Sequence, residues 1–281
     1  MTAIRDPGDS RVDENCLIVV NCGETQVSKT STLQPEDLLT WQSHSFQLIA
    51  FPMDAASVFG QATDWFEQTV GIEPETTSRR YHRVDKGIIQ NRIITLAIEP
   101  GKISWLEMSN PAPDEVPQAI PTLGQFLTTK DRFVEMMNQW IEKCPSIHRL
   151  AFAAKAIRPA TSKQESYKFL DRYLHKLEVD PENSSEILYR INRRRLSKVL
   201  PNRYVNRLAV WSSLKMVAEQ SLLSGDVKHK ILHQESHACS VDLDINTDPE
   251  STGPIAKESL ILLFTELVQL GIEILDKGDV E

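Results

Sequence analysis

Nothing constrains the fold of this chain more than an internal echo. Ile72–Asp85 reads IEPETTSRRYHRVD, Val179–Asn192 reads VDPENSSEILYRIN, and the two align without a gap at an offset of 107 residues. That offset also superposes Pro52 on Pro159, Asp54 on Thr161 and Asp64 on Asp171. Within the phrase it superposes Pro74 on Pro181, Glu75 on Glu182, Ser78 on Ser185 and Arg83 on Arg190. Shared spacing beside a shared helix-cap position points to an ancient duplication.

The hydrophobic pattern follows the same plan. SFQLIAF reads as a strand ending at Pro52. Asp54 is placed to cap a helix reaching Val70, with Val58, Phe59, Ala62, Phe66 and Val70 at helical spacing and Gly71 as its stop. Strands are expected over Arg79–Val84, Arg92–Ile98 and from Lys102, the last two joined by a turn at Pro100 and Gly101. A proline-rich linker leads to a helix over about Thr129–Lys143, striped by Phe133, Met136, Met137, Trp140 and Ile141. The second half repeats the order. IHRLAFAAKAI is a strand that Pro159 ends, and Ser162 with Glu165 forms a capping-box signature, with Thr161 as an alternative cap. Strands follow at Glu186–Asn192, at Arg207–Val217 and from Ala238, and a final helix carries Leu260, Leu263, Phe264, Leu267, Leu270, Ile274 and Leu275 toward Gly278.

The expectation is an α+β fold with a mainly antiparallel sheet, built from two tandem β-α-β-β-β-α repeats related by pseudo-twofold symmetry. Residues 44–145 and 146–281 form the repeats, packed as one domain. Residues 1–43 supply an N-terminal tail, the short strand CLIVVNC and a polar connection. A groove is expected where the repeats meet.

Charge narrows the partners. The net charge of −8 disfavours loose attraction to nucleic acid or to an anionic membrane. The charge is uneven, however: Ile187–Ala218 holds eight Lys/Arg and no acid, whereas Asp242–Glu281 holds ten acids and two lysines. The longest apolar run, LILLF, is too short to span a bilayer. The polar N-terminus lacks a signal core, and the four cysteines have neither metal nor disulfide-framework spacing. A cytoplasmic chain with reduced thiols is expected, with no membrane association.

Three clusters are candidate sites. The basic strands carry Arg79, Arg80, His82 and Arg83 in the first copy and Arg190, Arg193, Arg194 and Arg195 in the second. Arginine forks suit phosphates and carboxylates, and Tyr81 and Tyr189 could stack on a planar group. The same arginines could instead pair internally with the acidic C-terminal segment. HKILHQESH would align His229, His233 and His237 on one face of a helix, or form a polar connection. In VDLDIN, Asp242 and Asp244 share one face of a strand, either as metal ligands or as a solvated face. Trp41 looks exposed and could serve a partner surface or pack on the sheet edge.

No phosphate loop or nucleophile elbow is present in the sequence. The reading is therefore a non-enzymatic binding or adaptor protein without a cofactor. It would hold an anionic small molecule or an acidic segment of a protein partner between the repeats, with Arg83, Arg190, Arg193, Arg194, Tyr81 and Tyr189 as ligand-binding residues. The alternative is a nucleic-acid-binding protein, conceivably a metal-dependent nuclease using Asp242 and Asp244. A homo-oligomer is compatible with either reading.

Overall fold

The computed structural model describes residues 33–54, 58–60, 62–111, 117, 119–224, 227–250 and 252–279, with the backbone alone for 35, 219–224 and 227–233. The expected CLIVVNC strand lies outside the described residues. So do Gly225 and Asp226.

Most of the longer strands form where apolar residues alternate with polar ones. They are β1 (Gln42–Pro52), β2 (Glu75–Arg79), β3 (His82–Ile89), β4 (Arg92–Glu99), β5 (Lys102–Ser109), β6 (Gly124–Gln125), β7 (Ile147–Ala160), β8 (Leu188–Asn192), β9 (Arg195–Leu196), β10 (Tyr204–Ser224) and β11 (Val227–Thr247). They make one antiparallel sheet in the order β2-β3-β4-β5-β1-β7-β11-β10-β8, with β6 on β1 and β9 on β10. At its centre β1 pairs with β7, Leu48 opposite Phe152. Outward from that pair lie β5, β4, β3 and β2 on one side and β11, β10 and β8 on the other. The fold is thus α+β with a mainly antiparallel sheet.

One face of the sheet is buried. In β1, Phe46, Leu48 and Ala50 are fully buried, while Gln47 and Ile49 between them remain partly exposed. Helices α1 (Pro35–Leu39), α2 (Trp65–Val70), α3 (Phe126–Ile141), α4 (Lys163–Tyr173) and α5 (Leu260–Lys277) accompany the strands. Phe126, Phe133, Met137 and Trp140 of α3 and Leu263, Phe264, Leu267 and Leu275 of α5 are buried. Phe46 stacks on Phe133 and Phe152, and Trp105 stacks on Phe66. Each ring so buried contributes roughly 2 kcal/mol or more of transfer free energy. Among the described residues no helix is long and apolar enough to cross a membrane.

Local signals behave as the sequence suggests at several termini. Ser162 Oγ accepts from Glu165 N at 3.2 Å, and Glu165 Oε2 accepts from Thr161 N at 2.6 Å. Gly71 ends α2 with a left-handed φ of 79°, and Gly101 turns β4 into β5 with φ 77°.

Several expectations are corrected. Residues 58–60 are helical, as expected, but a break at Ala62–Asp64 separates them from the helix ending at Val70, which begins at Trp65. Trp41 is fully buried rather than exposed, because its indole packs against Tyr173 and Trp211. The strand expected to begin at Ala238 starts at Val227, and β10 runs to Ser224. The histidine segment is therefore strand, not helix.

The echo itself is not preserved in three dimensions. Glu75–Arg79 is strand β2, whereas Glu182 lies in a turn and Ser184–Ile187 in irregular backbone. Arg83 shares the helix-covered face with buried Asp85, but Arg190 sits on the opposite face, between Tyr189 and Ile191, which face α5. Helices and turns separate the two phrases, so their offset in sequence carries no strand register. A single-residue slip sends every side chain of a strand to the other face.

Candidate functional site

The arginine-rich segment after β8 folds against the C-terminal end of α5. Arg193 forks onto Asp279, with Nε 2.5 Å from Oδ1 and Nη2 2.9 Å from Oδ2. Tyr189 donates its hydroxyl to Asp279 Oδ2 at 2.7 Å. Arg195 reaches Glu273 with Nη1 at 2.7 Å and Nη2 at 3.3 Å. Arg194 pairs with Asp248 and lies 4.7 Å over the Tyr204 ring. Internal complementarity with the acidic C-terminal segment therefore accounts for Arg193, Arg194 and Arg195.

These pairings set the electrostatics of the cluster. Burial works to raise the pKa of Asp279, but hydrogen bonds from Arg193 and Tyr189 and the Arg193 charge outweigh it and hold the carboxyl below its ordinary range. Burial and the neighbouring carboxylate push the Tyr189 phenol up to about 12. Arg207 is buried beneath them, and its Nε and Nη2 lack hydrogen-bond partners among the described residues, as does Trp211 Nε1. The enclosed space they border, with Asp279 and Gly278, is about 10 Å³ and too small for an organic ligand.

Arg190 differs from its neighbours. It is exposed on β8, opposite Val210, and has no acidic partner among the described residues. Leu188 on the same face of β8 is 73% exposed. β8 ends the sheet, so its outer backbone edge is unpaired among the described residues.

The other candidate residues lie at the far edge. Arg83 Nε binds Asp85 at 2.9 Å and its Nη2 donates to Thr63 O at 2.9 Å, so it is occupied. Tyr81 is 56% exposed at the β2–β3 turn, where the Arg80 guanidinium lies 5.1 Å from its ring centroid. Seven strand spacings, or about 34 Å, separate β3 from β8. Arg83 and Tyr81 therefore cannot line a common groove with Tyr189, Arg190, Arg193 and Arg194. The junction where a groove is expected is the continuous β1–β7 ladder.

The remaining clusters resolve into structural pairs. Asp242 accepts from Lys155 Nζ at 3.1 Å, and Asp244 accepts from Asn246 Nδ2 at 2.8 Å. His229 and His233 are four residues apart on a strand, about 13 Å between Cα atoms, which is too far for paired metal ligands. Among the described residues no group of three or more His, Cys, Asp or Glu side chains converges.

One connection gave no local signal. Asp37 of α1 accepts from Arg158 Nη2 at 3.0 Å and Arg172 Nη2 at 2.5 Å, fastening α1 to β7 and α4. Only long-range contact reveals it.

Comparison with known proteins gives no family. The chain matches no family model and no curated protein sequence.

Proposed function

We propose that this chain is a non-enzymatic binding protein that holds an acidic, extended segment of a protein partner along the free edge of β8. The observation that carries the reading is the pairing of an unpaired strand edge with exposed Leu188 and unoccupied Arg190 on one face. A strand added to such an edge gains backbone hydrogen bonds, while alternate side chains supply specificity. Arg190 then selects a carboxylate and Leu188 an apolar side chain two residues away. Arg193, Arg194 and Tyr189 support the edge from within and do not touch the partner.

The probe is a fluorescently labelled peptide of alternating valine and glutamate, followed by anisotropy with the full chain. Binding should weaken with salt and fall at least tenfold in Arg190→Glu, with the fold unchanged by circular dichroism. A lysine-for-glutamate peptide should bind the wild type poorly. Equal binding of both peptides, or indifference to Arg190→Glu, overturns the reading.

The tandem-repeat reading of 44–145 and 146–281 belongs here too. It is supported by the mirrored strand order about β1 and β7 and by one long helix closing each half. It gains nothing from the echo. A cytoplasmic location is consistent with the buried, unbridged thiols of Cys144 and Cys239.

A further inference from the structure

The sheet is not rectangular. β8 pairs with β10 only over Leu208–Ser212, and β7 pairs with β11 only over His237–Asn246. Past Ser212 the outer edge of β10 is unpaired among the described residues, and past His237 β10 and β11 continue as a two-stranded arm from Met216 opposite Ser236 to Ser224 opposite Val227, with one register shift between Gln220 and Ser221. At 3.3 Å per residue the two-stranded arm is about 30 Å long. Two-stranded ribbons are marginal in water, and an unpaired flat edge is a template for another strand. Among the described residues nothing pairs with the outer edge of β10 from Ser213 to Ser224.

That edge reads SLKMVAEQSLLS, with no proline. Its only charges are Lys215 and Glu219, of opposite sign and equidistant from Val217, and the Lys215 ammonium also lies 2.7 Å from Glu235 of β11 in the same chain. Val217 is 43% exposed, an unusual place for a β-branched side chain that faces no core.

We propose that the β10 arm is a dimerisation element, pairing antiparallel with β10 of a second copy about a twofold axis at Val217. The axis sets Val217 opposite Val217 of the second copy and Lys215 opposite its Glu219, twice over. Only an axis through a residue keeps both copies' side chains on matching faces, and one at Glu219 would oppose like charges. The pairing covers Ser213–Ser221, from the point where β8 stops. The register irregularity between Gln220 and Ser221 then turns the remaining tip aside, as β-bulges do. This surface is separate from the β8 edge.

Light scattering on the full chain, with sedimentation velocity, tests it. The wild type should be a dimer. Lys215→Glu and Glu219→Lys should each weaken it about tenfold by placing like charges opposite. The double reversal should restore it. Val217→Lys should give a folded monomer, and Val217→Cys should cross-link to itself under mild oxidation while Ser213→Cys does not. A wild-type monomer at every concentration overturns the proposal, as does a dimer indifferent to Val217→Lys or a double reversal that rescues nothing.

Discussion

The indole Nε1 of Trp41 donates to the hydroxyl of Tyr173 at 3.0 Å, joining residues 132 apart in sequence. The same hydroxyl accepts from Arg158 Nη1 at 3.1 Å, and the Tyr173 ring stacks on Trp211. Tyr173→Phe keeps the ring but strands two buried donors, one of them charged. The expected loss is about 2–3 kcal/mol, read from urea denaturation. A change below a few tenths would mean that the donors find other partners and that the hydroxyl is dispensable.

The contrast between what was legible and what was not follows from range. The β4–β5 hairpin, the Ser162 cap and the end of α5 at Gly278 rest on contacts within a few residues, and the sequence signals them. Trp41 gave no such signal. Its partners come from α4 and β10, so a tryptophan in a polar connection looked exposed. The basic strands were legible as basic, and the acidic C-terminal segment as their internal partner. What single-sequence reasoning missed was face. An aligned phrase carries composition, while the pleat decides orientation, so Arg83 and Arg190 matched in letters and parted in space.

Acid should loosen the arginine cluster. The folded pKa of Asp279 lies below its ordinary value of 3.8. Such a carboxylate contributes stability above that ordinary value and loses it as pH falls through the folded value. Denaturation midpoints should therefore drop below about pH 4. Asp279→Asn should be less stable at pH 7, by about 2–4 kcal/mol, because Arg193 loses its buried counter-charge. Its midpoints should also fall less steeply with acid; Glu273, likewise depressed, keeps part of the slope.

Alkali should act on the same cluster from the other side. Tyr189 titrates near 12 when folded against an ordinary 10.0. A raised acid contributes stability below the unfolded value and loses it as pH rises through the folded one. Stability should decline from about pH 10 to about 12, and Tyr189→Phe should remove that part of the decline. Burial raises Tyr167 and Tyr173 as well, so ultraviolet titration should show several late phenolate steps in the wild type and one fewer in the variant. A wild-type chain whose tyrosines all ionise near 10 would contradict the Tyr189–Asp279 contact.

Two glycines with nearly equal φ angles should respond very differently to alanine. Gly71 has φ 79° and open space where a Cβ would stand, so Gly71→Ala costs only left-handed strain, about 1 kcal/mol. Gly278 has φ 75°, but a Cβ there would stand 2.2 Å from the Tyr173 carbonyl oxygen. That carbonyl accepts from Asp279 N at 2.9 Å, so it cannot retreat without releasing the residue that Arg193 and Tyr189 grip. Gly278→Ala should therefore cost about 3 kcal/mol or more, strain and lost contacts together. It should also carry a signature that strain alone lacks: with Asp279 displaced, the Tyr189 phenolate step should move back from about 12 toward its ordinary 10.0. Equal costs at the two glycines, or a Tyr189 step left in place, would separate the helix end from the arginine cluster that it is held to anchor.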